Sequence, residues 1–163
     1  MKISTRGRYA LRLMIDIAQG QSKEQDKPLH LKDVAGRQGI SKRYLEQIVI
    51  SLKNSRLIRG IPGKKGGYVL AKSPDDISVG EIIEAAIGPI NVVDCVLDPD
   101  ACMHSEMCEC RPLYSEINTL IRDALHQQTL AGMVSMYGER LIARSLVAAD
   151  DLDLPDLCSS RFK

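Results

Sequence analysis

Four cysteines, Cys95, Cys102, Cys108 and Cys110, stand within sixteen residues of this 163-residue chain. Thiolates are charged, polarisable ligands that suit iron and sulfide, and neighbouring thiols can also close a redox disulfide. The gaps of six, five and one residues do not match the Cys-x-x-Cys knuckles of a structural zinc site. Three readings therefore stand at this point: a metal or Fe–S cluster held by these cysteines, a thiol–disulfide switch, or inert thiols. Four converging thiolates repel one another without a cation, so an empty loop is expected to be mobile or oxidised. Met103 and Met107 in the same loop would shield a cluster or simply pack, whereas Cys158 stands alone in an acidic stretch and reads as incidental.

The surrounding charge is divided. Residues 1–72 hold 16 Lys/Arg against five Asp/Glu, and residues 73–163 hold six against 16, although the net charge is only +1. A basic half of that kind points to a polyanionic partner, the bland alternative being a solvated basic face. The N-terminal run MKISTRGRYALRLMIDIAQG has no apolar core of a signal peptide, and no segment approaches the roughly 20 apolar residues of a membrane span. The expectation is a cytoplasmic protein without membrane association, in which cysteines favour metal or redox chemistry over a disulfide framework. No nucleotide-binding glycine loop, catalytic triad or acid–base carboxylate pair is present, so the chain reads as a non-enzyme. A small Fe–S redox protein remains a remote alternative that leaves the basic half unexplained.

The elements that position these groups follow from periodicity and caps. Ala10, Leu13, Met14, Ile17 and Ala18 make one apolar stripe on a helix expected over 5–19, capped by Thr5 and stopped by Gly20. Gln21 to Lys27 reads as a loop. A short helix at 31–38, a break at Gly39 and a second helix from the Ser41 cap to about 54 form a helix-turn-helix pattern. With Leu45, Ile48, Val49 and Leu52 inward, Lys42, Arg43, Glu46 and Gln47 face outward. Any αα-hairpin shares this pattern, but the next segment is more specific. Two β-like runs, Leu57–Ile61 and Gly67–Ala71, are joined through Pro62, Gly63, Lys64, Lys65 and Gly66, which makes a hairpin with two lysines at its tip. In this position the hairpin is the wing of a winged helix, the alternative being an ordinary solvated hairpin.

Ser78-Val79-Gly80-Glu81 is a capping box opening a helix through Ala86, ended by Gly88 and Pro89. Residues 90–111 show no periodicity and read as an irregular loop. A long helix at about 112–127 carries Leu113, Ile117, Leu120, Ile121 and Leu125. Its stripe needs a partner, and a second copy of the chain is the simplest one, with packing on its own first helix as the alternative. Thr129 caps a further helix over 130–137, and 138–148 is helix-compatible. His30 reads as a surface or capping residue, and His126 as a cation near a helix C-terminus. The expected fold is mostly α with a small β wing: a winged helix-turn-helix head (1–88), a cysteine-rich loop (89–111), a dimerisation helix with following helices (112–149) and a flexible acidic tail (150–163).

The series KISTRGRYALR, QGISKRYLEQI, GGYVLAK, SVGEIIEA, three cysteines, a long helix and TLAGMV resembles the Rrf-two family of bacterial winged-helix transcription regulators, with its IscR-, NsrR- and CymR-like branches. The resemblance spans residues 2 to about 137. It implies a homodimer whose long helices cross while two heads read a pseudo-palindromic site on double-stranded DNA. Ser41, Arg43, Tyr44, Glu46 and Gln47 match its recognition-helix positions. Arg43 and Gln47 have the shape for base edges, and Lys42, Lys64 and Lys65 for phosphates. In cluster-binding members three cysteines hold a 2Fe–2S or 4Fe–4S cluster, which an aerobic preparation can lack, and Cys95, Cys102 and Cys108 match them. The fourth ligand stays open between Cys110, His104 and a residue of the other subunit. Arg111 stands where the IscR-like pattern has histidine, Arg8 where an NsrR-like site has aspartate, and Pro62 where an IscR-like wing has arginine, a place that Lys64, Lys65 or Arg59 would fill. The implied function is a DNA-binding regulator sensing iron–sulfur, redox or nitrosative status. The alternative is a cluster-free regulator governed by thiol–disulfide chemistry or a protein partner.

Overall fold

The computed structural model describes residues 3–23, 28–136 and 138. Among them are α1 (Thr5–Lys23), α2 (Leu31–Gln38), α3 (Lys42–Asn54), β1 (Ile58–Ile61), β2 (Gly67–Leu70), α4 (Val79–Ile87) and α5 (Arg111–Gln127), with a further helical stretch, α6, at 130–136. The molecule is mostly α with a small antiparallel wing, as its periodicities predict. Region 138–148 beyond residue 138, the tail 150–163 with Cys158, and residues 24–27 of the predicted loop lie outside the described residues.

The stripe of α1 is the centre of the core. Ala10, Leu13, Met14, Ile17 and Ala18 are buried with Leu45, Ile48, Val49 and Leu52 of α3, Ile77, and Ile82 and Ala86 of α4. The expected stop at Gly20 is not observed, because α1 continues to Lys23. A glycine inside a helix costs only about 1 kcal/mol relative to alanine, and two tertiary contacts oppose that cost. The Leu29 side chain lies over Gly20, and the Gln21 side-chain oxygen accepts the Leu70 N–H at 3.0 Å. The extra turn thus ties α1 to the wing.

The helix-turn-helix forms where its caps predict. Gly39 adopts the left-handed conformation (φ 64°) and its N–H returns to the Ala35 carbonyl. Ser41 is extended, and its hydroxyl accepts the Tyr44 N–H at 3.3 Å to start α3. The far end of α3 closes with Leu57 N–H on Leu52 O (3.0 Å) and Arg56 N–H on Lys53 O (2.9 Å). That pairing is a Schellman motif, with Arg56 (φ 55°) in the position that usually holds glycine.

In the wing Ile58, Arg59, Gly60 and Ile61 pair antiparallel with Leu70, Val69, Tyr68 and Gly67. A third piece of chain joins it: Leu29 and Tyr68 exchange backbone hydrogen bonds at 2.9 Å in both directions. Gly67 (φ 152°) is needed there, since a Cβ would meet the Leu29 carbonyl oxygen at 2.6 Å.

The capping box of α4 is complete, with the Ser78 hydroxyl accepting from Glu81 N (3.0 Å) and the Glu81 carboxylate from Ser78 N (2.8 Å). Helix α4 runs one residue past the expected Ala86. Val79, Ile83 and Ile90 form a second apolar cluster with Leu11 of α1, Ile121 and Leu125 of α5, and Met133. After α5 the chain returns to the head: Val79 N–H reaches Gln128 O and Leu130 N–H reaches Ile77 O, each at 2.8 Å. Thr129 then caps α6, its hydroxyl accepting the Gly132 N–H at 3.1 Å.

Candidate functional site

Helix α3 turns its inner stripe to the core, so its opening turns stay at the surface. Ser41, Lys42, Arg43, Glu46 and Gln47 are exposed. Lys42 and Glu46 form a solvated i,i+4 pair at 3.5 Å, which contributes little stability and leaves both side chains available. Tyr44 differs. Its half-buried ring meets Tyr9 edge-on, with centroids 5.8 Å apart and an interplanar angle of 84°, so most of its surface is committed to the head. Arg6, which the sequence presents only as one more cation, reaches α3 from α1: its guanidinium donates to the Ser51 hydroxyl (2.8 Å) and the Gln47 carbonyl (3.4 Å). No spacing signal connects Arg6 to Ser51, because the contact spans 45 residues.

The wing presents the other cations. Arg59, Lys64 and Lys65 are exposed. Gly63 is left-handed (φ 106°) and its carbonyl accepts the Gly66 N–H at 2.9 Å, which closes the tip. Pro62 is exposed directly before that turn.

The cysteine segment consists of three single turns of 3-10 helix, Asp94–Val96, Pro99–Ala101 and Ser105–Met107. Cys95 lies in the first turn, Cys102 closes the second, Cys108 follows the third, and Cys110 immediately precedes α5. All four are free thiols, the first three half-buried and Cys110 exposed. Among the described residues no three Cys, His, Asp or Glu side chains converge as a metal site, so the repulsion expected between converging thiolates does not arise. The donor chemistry fits iron and sulfide, but this loop conformation does not bring the donors together. Met103 and Met107 are 97% and 90% exposed. Packing within this chain, one of their two expected roles, is therefore not observed.

What holds the loop is polar. Asn118 of α5 is buried and its side-chain oxygen accepts the Val92 N–H at 3.0 Å. Arg111 donates through Nε to the Cys95 carbonyl at 3.1 Å and through its backbone N–H to Cys108 O at 3.2 Å. A cleft of about 330 Å³ lies beside it, with Ser105, Cys108 and Arg111 in its wall.

The apolar stripe of α5 divides. Ile121 and Leu125 pack on the head, while Leu113 and Leu120 are 55% and 62% exposed and Ile117 is exposed too. The polar junction between α5 and α4 comprises Arg122 Nε at 3.5 Å from one Glu84 oxygen, His126 Nε2 at 3.4 Å from the other, and His126 Nδ1 at 3.1 Å from the Ser78 hydroxyl. His126 is thus engaged with α4 rather than serving α5 alone. His30 stands at the N-cap position of α2, exposed and without a side-chain cap bond. In the capping box, burial tends to raise the pKa of Glu81. Hydrogen bonds from Lys72 (2.7 Å) and the Ser78 N–H outweigh it and hold the carboxyl below its usual range.

Residues 3–136 match the Rrf2 family, described as iron-dependent transcriptional regulators. The HTH-type transcriptional regulator CymR of Bacillus subtilis strain 168 is 38% identical over 135 residues, which cover 83% of this chain and 91% of CymR. A solved structure of B. subtilis CymR, described as the global cysteine regulator, superposes with a TM-score of 0.67 at 37% identity, over 83% of this chain and 98% of that one. The T. potens IscR structure gives a TM-score of 0.67 at 32% identity, over 86% and 90% of the two chains. The helix-turn-helix, the lysine-tipped wing and the long following helix therefore have one family context: the chain belongs to the Rrf2 family of helix-turn-helix transcription regulators and is not an enzyme.

Proposed function

We propose that this protein is a homodimeric, sequence-specific DNA-binding regulator whose occupancy depends on an Fe–S cluster held by Cys95, Cys102 and Cys108. The observation that carries the reading is the pairing of an exposed, cation-bearing recognition surface with a thiol loop bonded directly to α5. Arg43 and Gln47 read base edges, with Ser41, Tyr44 and Glu46 beside them. Lys42, Arg59, Lys64 and Lys65 neutralise phosphates, which sets affinity and its salt dependence. Leu113, Ile117 and Leu120, with Ile121 and Leu125 at the edge of the same stripe, meet a second copy, because an apolar helix face of this size is unstable in water.

Cys110, His104 or a residue of the other subunit completes the ligand set. When bound, a cluster would supply redox-sensitive cross-links between segments that hydrogen bonds from Asn118 and Arg111 otherwise help to hold. The residues of the chain transmit the difference. Convergence of the three cysteines requires the loop between Val92 and Arg111 to rearrange. Asn118 and Arg111 pass that rearrangement to α5, and the equilibrium between dimer arrangements shifts. Anaerobically purified protein should be brown, with iron and sulfide in matching amounts. Cys102→Ala should be colourless at unchanged thermal stability and should lose the iron-dependent change in DNA affinity. A wild-type protein that stays colourless after reconstitution would sink the cluster reading.

A second reading is favoured by the free, non-converging thiols and by the relative that is named a cysteine regulator. Here the same DNA surface is governed by thiol–disulfide chemistry or by a protein partner. It predicts an iron-free protein whose affinity for DNA still follows the reductant.

A further inference from the structure

We infer that His126 is a positioning residue that fixes the angle between the winged head and α5, and through it the half-site spacing that the protein accepts. This rests on the dimeric DNA-binding reading above, but concerns a junction that touches neither DNA nor the thiols.

The ring of His126, in the last turn of α5, lies flat against Gly80 of α4. A Cβ at Gly80 would fall 2.6 Å from ring atoms Cδ2 and Nε2, so any larger residue would displace the ring. Gly80 is otherwise a poor choice. The capping box accounts for Ser78 and Glu81, and a glycine in the first turn of a helix costs about 1 kcal/mol of propensity without a packing reason. The ring supplies that reason. The Ser78 hydroxyl oxygen already accepts the Glu81 N–H, so its own proton is free to donate to Nδ1. The neutral ring then carries its proton on Nε2, which faces Glu84 at 3.4 Å. That nitrogen is enclosed and has no hydrogen bond of good geometry. The carboxylate at ion-pair distance is its polar neighbour, and Arg122, one turn earlier on α5, holds the other Glu84 oxygen.

One ring thus contacts three positions of α4 (the cap hydroxyl, a glycine and a carboxylate), while α4 itself packs into the core beside α1 and α3. The backbone bridge between Ser78 and Thr129 anchors the chain just beyond α5. It holds the end of the helix, Ile121 and Leu125 seat the same turns on Val79, Ile83 and Ile90, and the His126 ring adds the directional polar contacts to α4. A 17-residue helix is about 25 Å long at 1.5 Å per residue. A tilt of about 10° at His126 therefore moves its far end by about 4 Å, more than the 3.4 Å step between base pairs. Of the exposed part of the stripe, Leu113 and Ile117 occupy that far half and Leu120 lies just past the midpoint.

The test uses the full chain, an operator obtained by in vitro selection, spacer variants of one and two base pairs in each direction, and a single half-site duplex. Wild-type protein should lose at least about tenfold in affinity per base pair of altered spacing, because simultaneous engagement of both heads is lost. His126→Ala and Gly80→Ala should keep half-site affinity within about twofold, yet lose no more than about threefold per base pair or prefer a different spacer. The same spacing profile in both variants as in wild type would overturn the inference. So would loss of half-site affinity in step with a lowered melting temperature, which would mark His126 as merely structural. Glu84→Gln, which preserves shape, should broaden the profile in the same direction even if His126→Ala fails to fold. A wild-type protein indifferent to spacing would instead overturn the dimeric reading, and this inference with it.

Discussion

In the head, Leu13, Met14, Leu45, Ile48, Leu52 and Ile82 are essentially sealed from solvent, and α3 and α4 each start at a serine cap. Between Asn91 and Cys110, by contrast, Ser105 is the one buried residue, and the chain is held by Asn118, Arg111 and short turns. Both regions are dense in residues that can do chemistry, but one is preformed by aliphatic burial and the other is not. A preformed surface suits reading a fixed polyanion. A loop held by a few hydrogen bonds can rearrange when its thiols acquire a ligand, because little buried area is lost in the process. The division of α5 marks the boundary: Ile121 and Leu125 belong to the head, while Leu113 and Leu120 share the solvent with the loop.

The contrast can be broken from the head side first. Leu45→Ala leaves a cavity in the sealed core and should cost about 2–5 kcal/mol in denaturant unfolding; a loss below 1 kcal/mol would mean that the core repacks freely. Replacing Leu113 and Leu120 together with glutamate should leave the unfolding of the head nearly unchanged. It should convert the protein to a monomer by sedimentation and weaken operator binding by about a hundredfold; a variant that stays dimeric would place the partner surface elsewhere.

Smaller effects sharpen the picture. Lys64→Ala with Lys65→Ala should weaken binding to specific and non-specific DNA alike and, with four lysines lost per dimer, reduce the slope of log affinity against log salt by about three to four. An unchanged slope would remove the wing tip from the interface. The smallest effect is a pH dependence. Because the folded-state pKa of Glu81 lies below its usual value near 4.5, its contribution is fully present above that value and is lost as pH falls through the lowered folded pKa. The Glu81 part of the fall in melting temperature should therefore lie below about pH 4.5, and Glu81→Gln should flatten that part. An identical pH profile in the variant would show that the Lys72–Glu81 pair does not stabilise the head.

Much of the head was legible because its signals are local. Gly39 and Ser41 mark both sides of the turn, Ser78 and Glu81 open α4, and the i, i+3, i+4 stripes of α1 and α3 are the residues that became buried. Where reading along the chain failed, a distant contact had overruled a local preference. Gly20 looked like a stop until Leu29 and the wing supported another turn. Tyr44 sits at a recognition-helix position, but its ring is partly taken up by Tyr9. The candidate site was half legible. Its cations and thiols are visible as types and spacings, whereas Arg6 on Ser51, Arg111 on the Cys95 carbonyl and His126 on Gly80 join residues whose separation in sequence carries no periodic signal.

By itself, then, the sequence determined what short-range physics can decide: caps, stripes, the hairpin tip, the division of charge and the presence of four soft ligands on one loop. It left undecided which way the long helix would face, because Leu113, Ile117, Leu120, Ile121 and Leu125 form one continuous apolar stripe when read along the chain. Only the tertiary structure divided that stripe. The return of residues 128–130 to the start of α4 fixes the last two turns of α5 against Val79, Ile83 and Ile90 and leaves the first turns in water. Burial depends on where the rest of the chain lies, which no local pattern encodes.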